Sequence, residues 1–320
     1  METKFKIGID CGGSKIEGIL LDSAGNQIER KRTTYKKNYD SFIKTINSLV
    51  THLEGIANSL CTVGIGIPGF SSKETGLVVN ANSIWLNNKP FKNDLEKNLK
   101  REVKIMNDAN CFTLSESTDG AGEEYKAVFG IIIGTGFGGG LSYDKKIIEG
   151  VNQVAGDWGH QPLPYPTKEE IDFKIKCKLQ TCQRPLCAEQ FISGIGFENN
   201  FNLKNNTNLK APEIVGLDLK NDKRAKLEFE LYEDRLARVI SVMIGIFDPD
   251  VIILGGGMSN IERFYKNIPL ILPKYTFSDK VRNKILNIFL SLNSFPPLTL
   301  SLNISYSQPL FLQKLIPLSF

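Results

Sequence analysis

The segment GIDCGGSK, residues 8–15, places a carboxylate, two adjacent glycines, a hydroxyl and a lysine in one short stretch. Apolar residues precede it and resume directly after it in KIEGILLD, which predicts two strands joined as a β-hairpin. Glycines in such a turn expose backbone N–H groups that bind anions. With Asp10, Ser14 and Lys15 beside them, the pattern favours binding of Mg²⁺ and phosphates. An ordinary hairpin turn that carries charges is the alternative left open.

Two further glycine-rich segments follow, GTGFGGG at residues 134–140 and GGGM at residues 255–258. The first again joins two apolar runs and is interpreted as the second half of a phosphate clamp. The second ends a buried strand, where it either admits a nucleotide base or ribose close to the backbone or is only a tight turn. No P-loop spacing is present, and a strand rather than a helix follows the first glycines, which excludes a dinucleotide fingerprint.

Asp108 stands at the end of another apolar strand, in IMNDAN. A carboxylate held at such an edge takes the proton of an alcohol as its oxygen attacks phosphorus. The alternative is that Asp108 caps the helix predicted for ANCFTLSE.

The chain has six cysteines and two histidines. Cys177, Cys182 and Cys187 cluster, whereas the other three lie far apart in the sequence. This distribution indicates a reducing compartment and a metal site rather than a disulfide framework.

Helical spacing over residues 38–60 and two similar successions of Gly-turned hairpin, helix and strand predict a duplicated α/β unit. We expect one domain over residues 1–116, a larger one with a metal-binding loop over 117–284, and a divergent tail over 285–320. The 320 residues are 41% hydrophobic with a net charge of +4. No signal peptide or spanning segment is predicted, and mixed charges do not favour nucleic acid, so a cytoplasmic protein is expected.

Several motifs occur in a fixed order: IGIDCGGSK, GIGIPGF, NANSIWLN, IMNDANCFTLSE, IIIGTGFGGGL, AGDWGHQPLP, CAEQFISGIGFE and DPDVIILGGGMSN. Together they resemble the ROK family of sugar kinases and repressors, and within it the bacterial fructokinases, over about residues 4–284. The resemblance implies an α/β, actin-like, hexokinase-like fold of two RNase-H-like domains around a cleft. It also implies ATP-dependent phosphorylation of a hexose, with fructose at its 6-hydroxyl favoured, by a homodimer that uses Mg²⁺ and a structural Zn²⁺.

Carried over position by position, the resemblance assigns the catalytic base to Asp108. It assigns ATP binding to Gly8, Asp10, Gly12, Gly13, Ser14, Lys15, Gly134, Thr135, Gly136, Gly138, Gly139, Gly140, Gly256 and Gly257. It assigns sugar contacts to Asn82, Asn107, Asp108, Asp157, His160 and Glu189. Asp157 departs from the family, which has Glu in this position, so its contact with a sugar hydroxyl is expected to be longer or water-mediated.

The family's zinc site implies His160, Cys182 and Cys187 as ligands, but Gln180 stands where its first cysteine falls. We expect Cys177, three residues earlier, to supply the fourth ligand, because Zn²⁺ takes four and loop closure costs rise slowly with length. A decayed site with three free thiols is the alternative.

The last segment, residues 285–320, lacks the Gly-Ser turn and terminal helix of the family, and its four prolines argue against a long helix. Three alternatives to a fructokinase stay open. The first is a kinase for glucose, mannose or an N-acetylhexosamine, the second is a sugar-binding pseudokinase inactivated by the divergent tail, and the third is a repressor. The repressor is disfavoured because only nine residues precede Asp10, too few for a helix-turn-helix.

Overall fold

The computed structural model describes residues 4–173, 177, 182 and 184–288. The chain divides into two compact units, and the division falls between Ser115 and Glu116. Within the described ranges, no helix is both long enough and apolar enough to cross a membrane. Residues 180 and 183, and the expected divergent tail from residue 289 onward, lie outside the described residues.

The first unit is built on a five-stranded sheet with the order β3-β2-β1-β4-β7. Strand β2 is antiparallel to its neighbours β1 and β3, whereas β4 and β7 run parallel to β1. Its strands are β1 Lys6–Cys11, β2 Lys15–Leu21, β3 Gln27–Thr34, β4 Thr62–Ile67, β5 Phe70–Ser71, β6 Val78–Val79 and β7 Lys104–Asn107, and its helices are α1 Tyr39–Ala57 and α2 Phe91–Leu99. Helix α3, Asp108–Asp119, spans the division between the units.

The second unit repeats this topology in a sheet with the order β10-β9-β8-β11-β12. The two glycine-rich segments 8–15 and 134–140 connect equivalent antiparallel pairs of the two sheets, which confirms the predicted duplication. Its strands are β8 Ala127–Ile133, β9 Phe137–Tyr143, β10 Lys146–Ile147, β11 Val251–Gly255 and β12 Lys284–Asn287, and its helices are α4 Lys168–Asp172, α5 Glu189–Ile192, α6 Gly194–Asn205, α7 Ala211–Leu219, α8 Lys223–Phe247 and α9 Arg263–Ile271.

One long helix supports the sheet of the first unit. Helix α1 begins after Asn38, whose side chain accepts a hydrogen bond from the Ser41 amide, and ends at Asn58 in the left-handed conformation. Its apolar face, including Phe42, Ile46 and Leu49, is buried in the same core as the β1 and β4 side chains. This packing holds the carboxyl ends of the central strands in place, where the chemistry of the first unit lies.

The strand β12 differs from the sequence-based expectation. Residues 285–287, assigned above to the divergent tail, form the edge of the second sheet and pair in parallel with β11. The alternation of exposed Lys284 and buried Ile285 fits an edge strand. Family-like structure therefore extends a few residues beyond the boundary expected at residue 284.

Candidate functional site

The first glycine turn joins β1 to β2 and has Asp10 at its entrance. In this hairpin Asp10 pairs directly with Glu17 of β2. Gly13, Ser14 and Lys15 are exposed, so the turn is accessible to a ligand. The turn is tied to the rest of the unit through the Tyr35 hydroxyl, which donates a hydrogen bond to the Gly12 carbonyl at 2.8 Å.

The two facing carboxylates of this hairpin have different surroundings. Glu17 is buried and accepts hydrogen bonds from the guanidinium groups of Arg30 and Arg32 in β3. Burial raises the pKa of Asp10 to about 7, reinforced by the negative charges of Asp108 and Glu17 and opposed in part by the two arginines. Sequence reasoning missed this network, although Glu17 interrupts an apolar run and Arg30 and Arg32 alternate along the neighbouring strand.

The second acid of the first unit, Asp108, lies where β7 passes into α3. Strand β7 pairs in parallel with β4, and β4 with β1, so that Asn107 is opposite Ile67 and Asp10 opposite Gly66. The carboxyl ends of three adjacent strands therefore bring Asp10, Asn107 and Asp108 to one edge of the sheet. The influence of the Asp108 charge on the pKa of Asp10 follows from this proximity.

Capping of α3 is performed by Asn107 and not by Asp108. The Asn107 side chain accepts hydrogen bonds from the Ala109 and Asn110 amides at 2.9 and 3.2 Å, and its amide group donates to the Gly69 carbonyl at 3.1 Å. Asp108 is the first residue of the helix, and its carboxylate accepts from the adjacent Ala109 amide at 2.8 Å. Both side chains therefore bond amides of the first turn of α3, with Asn107 directly before the helix.

The segment NANSIWLN, residues 80–87, follows β6 and contains the predicted sugar contact Asn82; it is called the sugar-side segment below. The Asn87 side chain both accepts from and donates to the backbone of Ala81, at 2.9 and 3.0 Å, so it closes this loop rather than offering its amide to a ligand. Asn82 is exposed at the start of the loop, and Trp85 is half-buried with its ring 6.0 Å from that of Tyr35.

In the second unit, the Gly134–Gly140 segment joins β8 to β9 and meets two other loops. The Gly194 amide, at the start of α6, donates to the Gly134 carbonyl at 2.8 Å. Gly256 has a φ of 82°, and a Cβ there would lie 2.5 Å from the Ile133 carbonyl oxygen, so only glycine fits against the end of β8. The structure therefore brings the predicted segments 134–140 and 255–258 together.

The GDWGH segment, residues 156–160, packs against β9 through its tryptophan and its second glycine. Trp158 packs between Phe129 and Phe137, with ring centroids 4.7 and 5.0 Å away. A Cβ on Gly159 would lie 1.9 Å from the Phe137 carbonyl oxygen, so this residue must be glycine. The Asp157 carboxylate consequently lies over Gly138, with 3.4 Å between its Oδ1 and the position of a Cβ on that glycine.

His160 lies between the cysteine cluster and Glu189. Pairing of residues 159–163 with 186–189, including the hydrogen bond from the Glu189 amide to the Gly159 carbonyl at 2.8 Å, sets this arrangement. The His160 Nδ1 is 3.4 Å from the Sγ of Cys187 and 3.7 Å from the Sγ of Cys177, whereas its Nε2 is 3.8 Å from a Glu189 oxygen. The two ring nitrogens of His160 thus lie beside two different groups, Nδ1 beside the cysteines and Nε2 beside Glu189.

The potential ligand atoms of His160, Cys177, Cys182 and Cys187 all lie within 4.8 Å of one another. Tetrahedral Zn²⁺ with bonds of about 2.0 to 2.3 Å needs ligand atoms about 3.3 to 3.8 Å apart. The two measured distances to Nδ1 fall in this range. Cys177 therefore occupies a position from which it can complete a zinc site, despite its displacement in sequence.

The acids next to His160 complete the predicted set of the second unit. Glu189 accepts a hydrogen bond from the Phe137 amide at 3.2 Å, which orients its carboxylate. Removal of the carboxylate from water raises the pKa of Asp157, and Glu189 raises it further while His160 lowers it. The predicted residues thus form one set in each unit: Asp10, Asn107 and Asp108 in the first, and Asp157, His160 and Glu189 in the second.

Comparisons with known proteins agree with this geometry. A family model described as the ROK family matches residues 6–291. An N-acetyl-D-glucosamine kinase from Histophilus somni is 37% identical over 270 residues, which cover 84% of this chain and 88% of that protein. This relative does not support the narrower expectation of a fructokinase.

Solved structures show the same fold at lower sequence identity. A ROK hexokinase from Thermus thermophilus aligns with a TM-score of 0.76 at 21% identity, covering 88% of this chain and 92% of the other. A ROK family glucokinase from Streptomyces griseus, solved with glucose and AMPPNP, aligns with a TM-score of 0.73 at 23% identity, covering 88% and 94%. The chain therefore belongs to the ROK family, where it groups with the sugar kinases of hexokinase-like, actin-like fold.

Proposed function

We propose that this protein is an ATP-dependent hexose kinase in which Asp108 is the general base. The observation that carries the proposal is the meeting of Asp10 and Asp108 at the carboxyl ends of β1 and β7, the two strands that flank β4, beside an exposed glycine turn. Asp108 is the first residue of α3, directly after the capping residue Asn107, and its carboxylate is proposed to accept a proton from a sugar hydroxyl.

The phosphates of ATP are assigned to the two glycine segments, residues 8–15 and 134–140. Exposed amides, the Ser14 hydroxyl and the Lys15 ammonium supply donors and positive charge for phosphate oxygens. The nearby arginines offset the negative charge of Asp10 only in part. Its carboxylate is therefore suited to bind a cation or a water molecule of that cation. Mg²⁺ bound there with ATP would neutralise charge that develops on the transferring phosphoryl group.

The sugar is assigned to Asn82, Asn107 and Asp108 in the first unit and to Asp157, His160 and Glu189 in the second. In the second unit, Glu189 lies 3.8 Å from the Nε2 of His160, whose Nδ1 faces the cysteines. We propose that His160, Cys177, Cys182 and Cys187 hold a structural Zn²⁺. The metal would fix the ring and its tautomer, so that Nε2 carries the proton towards Glu189.

Among hexoses, we propose N-acetyl-D-glucosamine ahead of fructose. A relative that matches 84% of this chain carries the name of an N-acetyl-D-glucosamine kinase. The preference for fructose rests on motifs that include NANSIWLN, and in that segment the Asn87 side chain already forms its hydrogen bonds with the loop backbone. A site that pairs polar groups with one sugar discriminates strongly against a sugar that leaves them unpaired.

The test is steady-state phosphorylation of N-acetyl-D-glucosamine, glucose, mannose and fructose by the purified chain with MgATP, with the products identified by mass spectrometry and NMR. We expect kcat/KM for N-acetyl-D-glucosamine to exceed that for fructose by at least about 100-fold. A preference for fructose would refute the substrate and leave the kinase standing. Absence of transfer to every hexose, with sugar binding intact, would identify a pseudokinase instead.

A further inference from the structure

Tyr35 connects the two segments of the first unit that are assigned to different substrates. It follows β3 directly, and its hydroxyl donates to the Gly12 carbonyl in the phosphate-binding turn at 2.8 Å. The other contacts of this side chain are with the sugar-side segment and with α1. A single side chain therefore contacts both the ATP turn and the loop that carries Asn82.

The contacts on the sugar side involve the ring. The Tyr35 ring meets the Trp85 ring edge-on at 6.0 Å and the Phe42 ring of α1 edge-on at 4.9 Å. Ser83 is buried next to Asn82, in the same loop as Trp85. The Tyr35 ring thus contacts the sugar-side segment, while its hydroxyl bonds to the backbone of the ATP turn.

The protonation of Tyr35 suits this role. Burial raises its pKa to about 12, reinforced by Cys11 and opposed by Ser83. The hydroxyl therefore keeps its proton throughout the neutral range and remains the donor to Gly12. Phe42 and Trp85 restrict the ring on two sides, so that the hydroxyl has little freedom to choose another acceptor.

We propose that Tyr35 is a positioning residue that couples occupation of the sugar-side segment to the conformation of the ATP-phosphate turn. The proposal rests on the function proposed above. When a sugar orders the loop at Asn82, Trp85 holds the Tyr35 ring in place, and the Tyr35 hydroxyl holds the Gly12 carbonyl. The amides of Gly13 and Ser14 then point outward before ATP arrives, so that each substrate lowers the ordering cost of the other.

Such coupling is measured as the factor by which one ligand changes the affinity for the other. Calorimetry gives this factor for N-acetyl-D-glucosamine with and without saturating Mg²⁺–AMPPNP, in the wild type and in Tyr35→Phe. The substitution removes the hydrogen bond to Gly12 and keeps the ring on Trp85 and Phe42. We expect the wild type to show positive coupling and the variant to lose about 2- to 12-fold of it, the range of one neutral hydrogen bond.

Tyr39→Phe is the matched control, because the Tyr39 hydroxyl bonds to Asp94 at 2.6 Å and not to either segment. It should retain wild-type coupling. Trp85→Leu, which removes the ring contact with Tyr35, should weaken coupling in the same direction as Tyr35→Phe, and it keeps the proposal testable if Tyr35→Phe folds poorly. Wild-type coupling in Tyr35→Phe or a wild type without coupling would overturn the proposal, whereas a wild type that binds neither ligand would overturn the kinase assignment.

Discussion

Replacing Asp10 with Asn should stabilise the first unit above neutral pH, although it removes a carboxylate proposed to be essential for activity. The pKa of Asp10 is raised from 3.8 to about 7 by burial and by the charges of Asp108 and Glu17. The folded state therefore binds this proton more tightly than the unfolded chain. Unfolding free energy is consequently lost as the pH rises from about 4 to about 7, and Asn, which does not ionise, avoids that loss.

The magnitude follows from the size of the pKa shift. About three pKa units correspond to about 4 kcal/mol at a pH above both values. Asp10 is only half-buried, and solvent screening reduces such contributions, so we expect a gain of about 2 kcal/mol at pH 8. The gain should fall towards zero near pH 3, where the carboxyl group is mostly protonated in both states.

Glu17 supplies the matched control, because it lies opposite Asp10 in the same hairpin but is paired with Arg30 and Arg32. Glu17→Gln breaks a largely buried ion pair and should destabilise the unit by about 2 kcal/mol, less than for a fully buried pair because Arg32 is partly exposed. The two isosteric changes should thus have opposite signs at pH 8.

Hydrogen exchange followed by mass spectrometry on peptides from β1 and β4 measures opening of the first unit separately from the second. Comparing each variant with the wild type at the same pH cancels the intrinsic exchange rate. Slower exchange in Asp10→Asn at pH 8 and an unchanged rate near pH 3 are expected. If Asp10→Asn exchanges faster than the wild type at pH 8, the description of Asp10 as a carboxylate held at a cost to stability is wrong.

Two further predictions concern the second unit. Metal analysis of the purified protein should find about one zinc per chain. Cys177→Ser should lower this zinc content sharply, whereas the control Cys61→Ser, in the first unit, should leave it unchanged. Full zinc content in Cys177→Ser would exclude Cys177 as a ligand. Glu170→Gln should lower the free energy of urea unfolding by about 3 kcal/mol at pH 7, since it leaves the guanidinium groups of Arg235 and Arg238 buried without their shared carboxylate. Because the pKa of Glu170 is lowered from 4.5 to about 2, this difference should shrink below pH 4.5, and the exposed neighbour Glu169→Gln should show neither effect.

The fold was predictable where a local pattern determined it. Apolar alternation around the Gly12–Gly13 turn is sufficient for a hairpin, and the recurrence of the same pattern at residues 134–140 predicted the second sheet. The order of the motifs also predicted the family and supplied the residues of the proposed site. These signals depend on near neighbours in sequence, so they survive without knowledge of packing.

The parts that sequence reasoning missed depend on contacts distant in the chain. Whether Asn107 or Asp108 caps α3 depends on which side chain turns back, and the hydrogen bond from Asn107 to the Gly69 carbonyl decides it. The role of Tyr35 depends on a carbonyl 23 residues away. Neither contact leaves a periodicity or spacing that could have been recognised in the sequence.

The measurement that tests the central claim most directly is phosphoryl transfer to N-acetyl-D-glucosamine by Asp108→Asn, alongside calorimetric binding of the same sugar. Asn keeps the size and hydrogen bonding of the side chain but cannot accept the hydroxyl proton. We predict that kcat falls by at least about 100-fold, as expected for loss of a general base, while sugar affinity changes by only a few fold. Asp119→Asn, at the other end of the same helix, should leave both unchanged. A near wild-type kcat in Asp108→Asn would contradict the account.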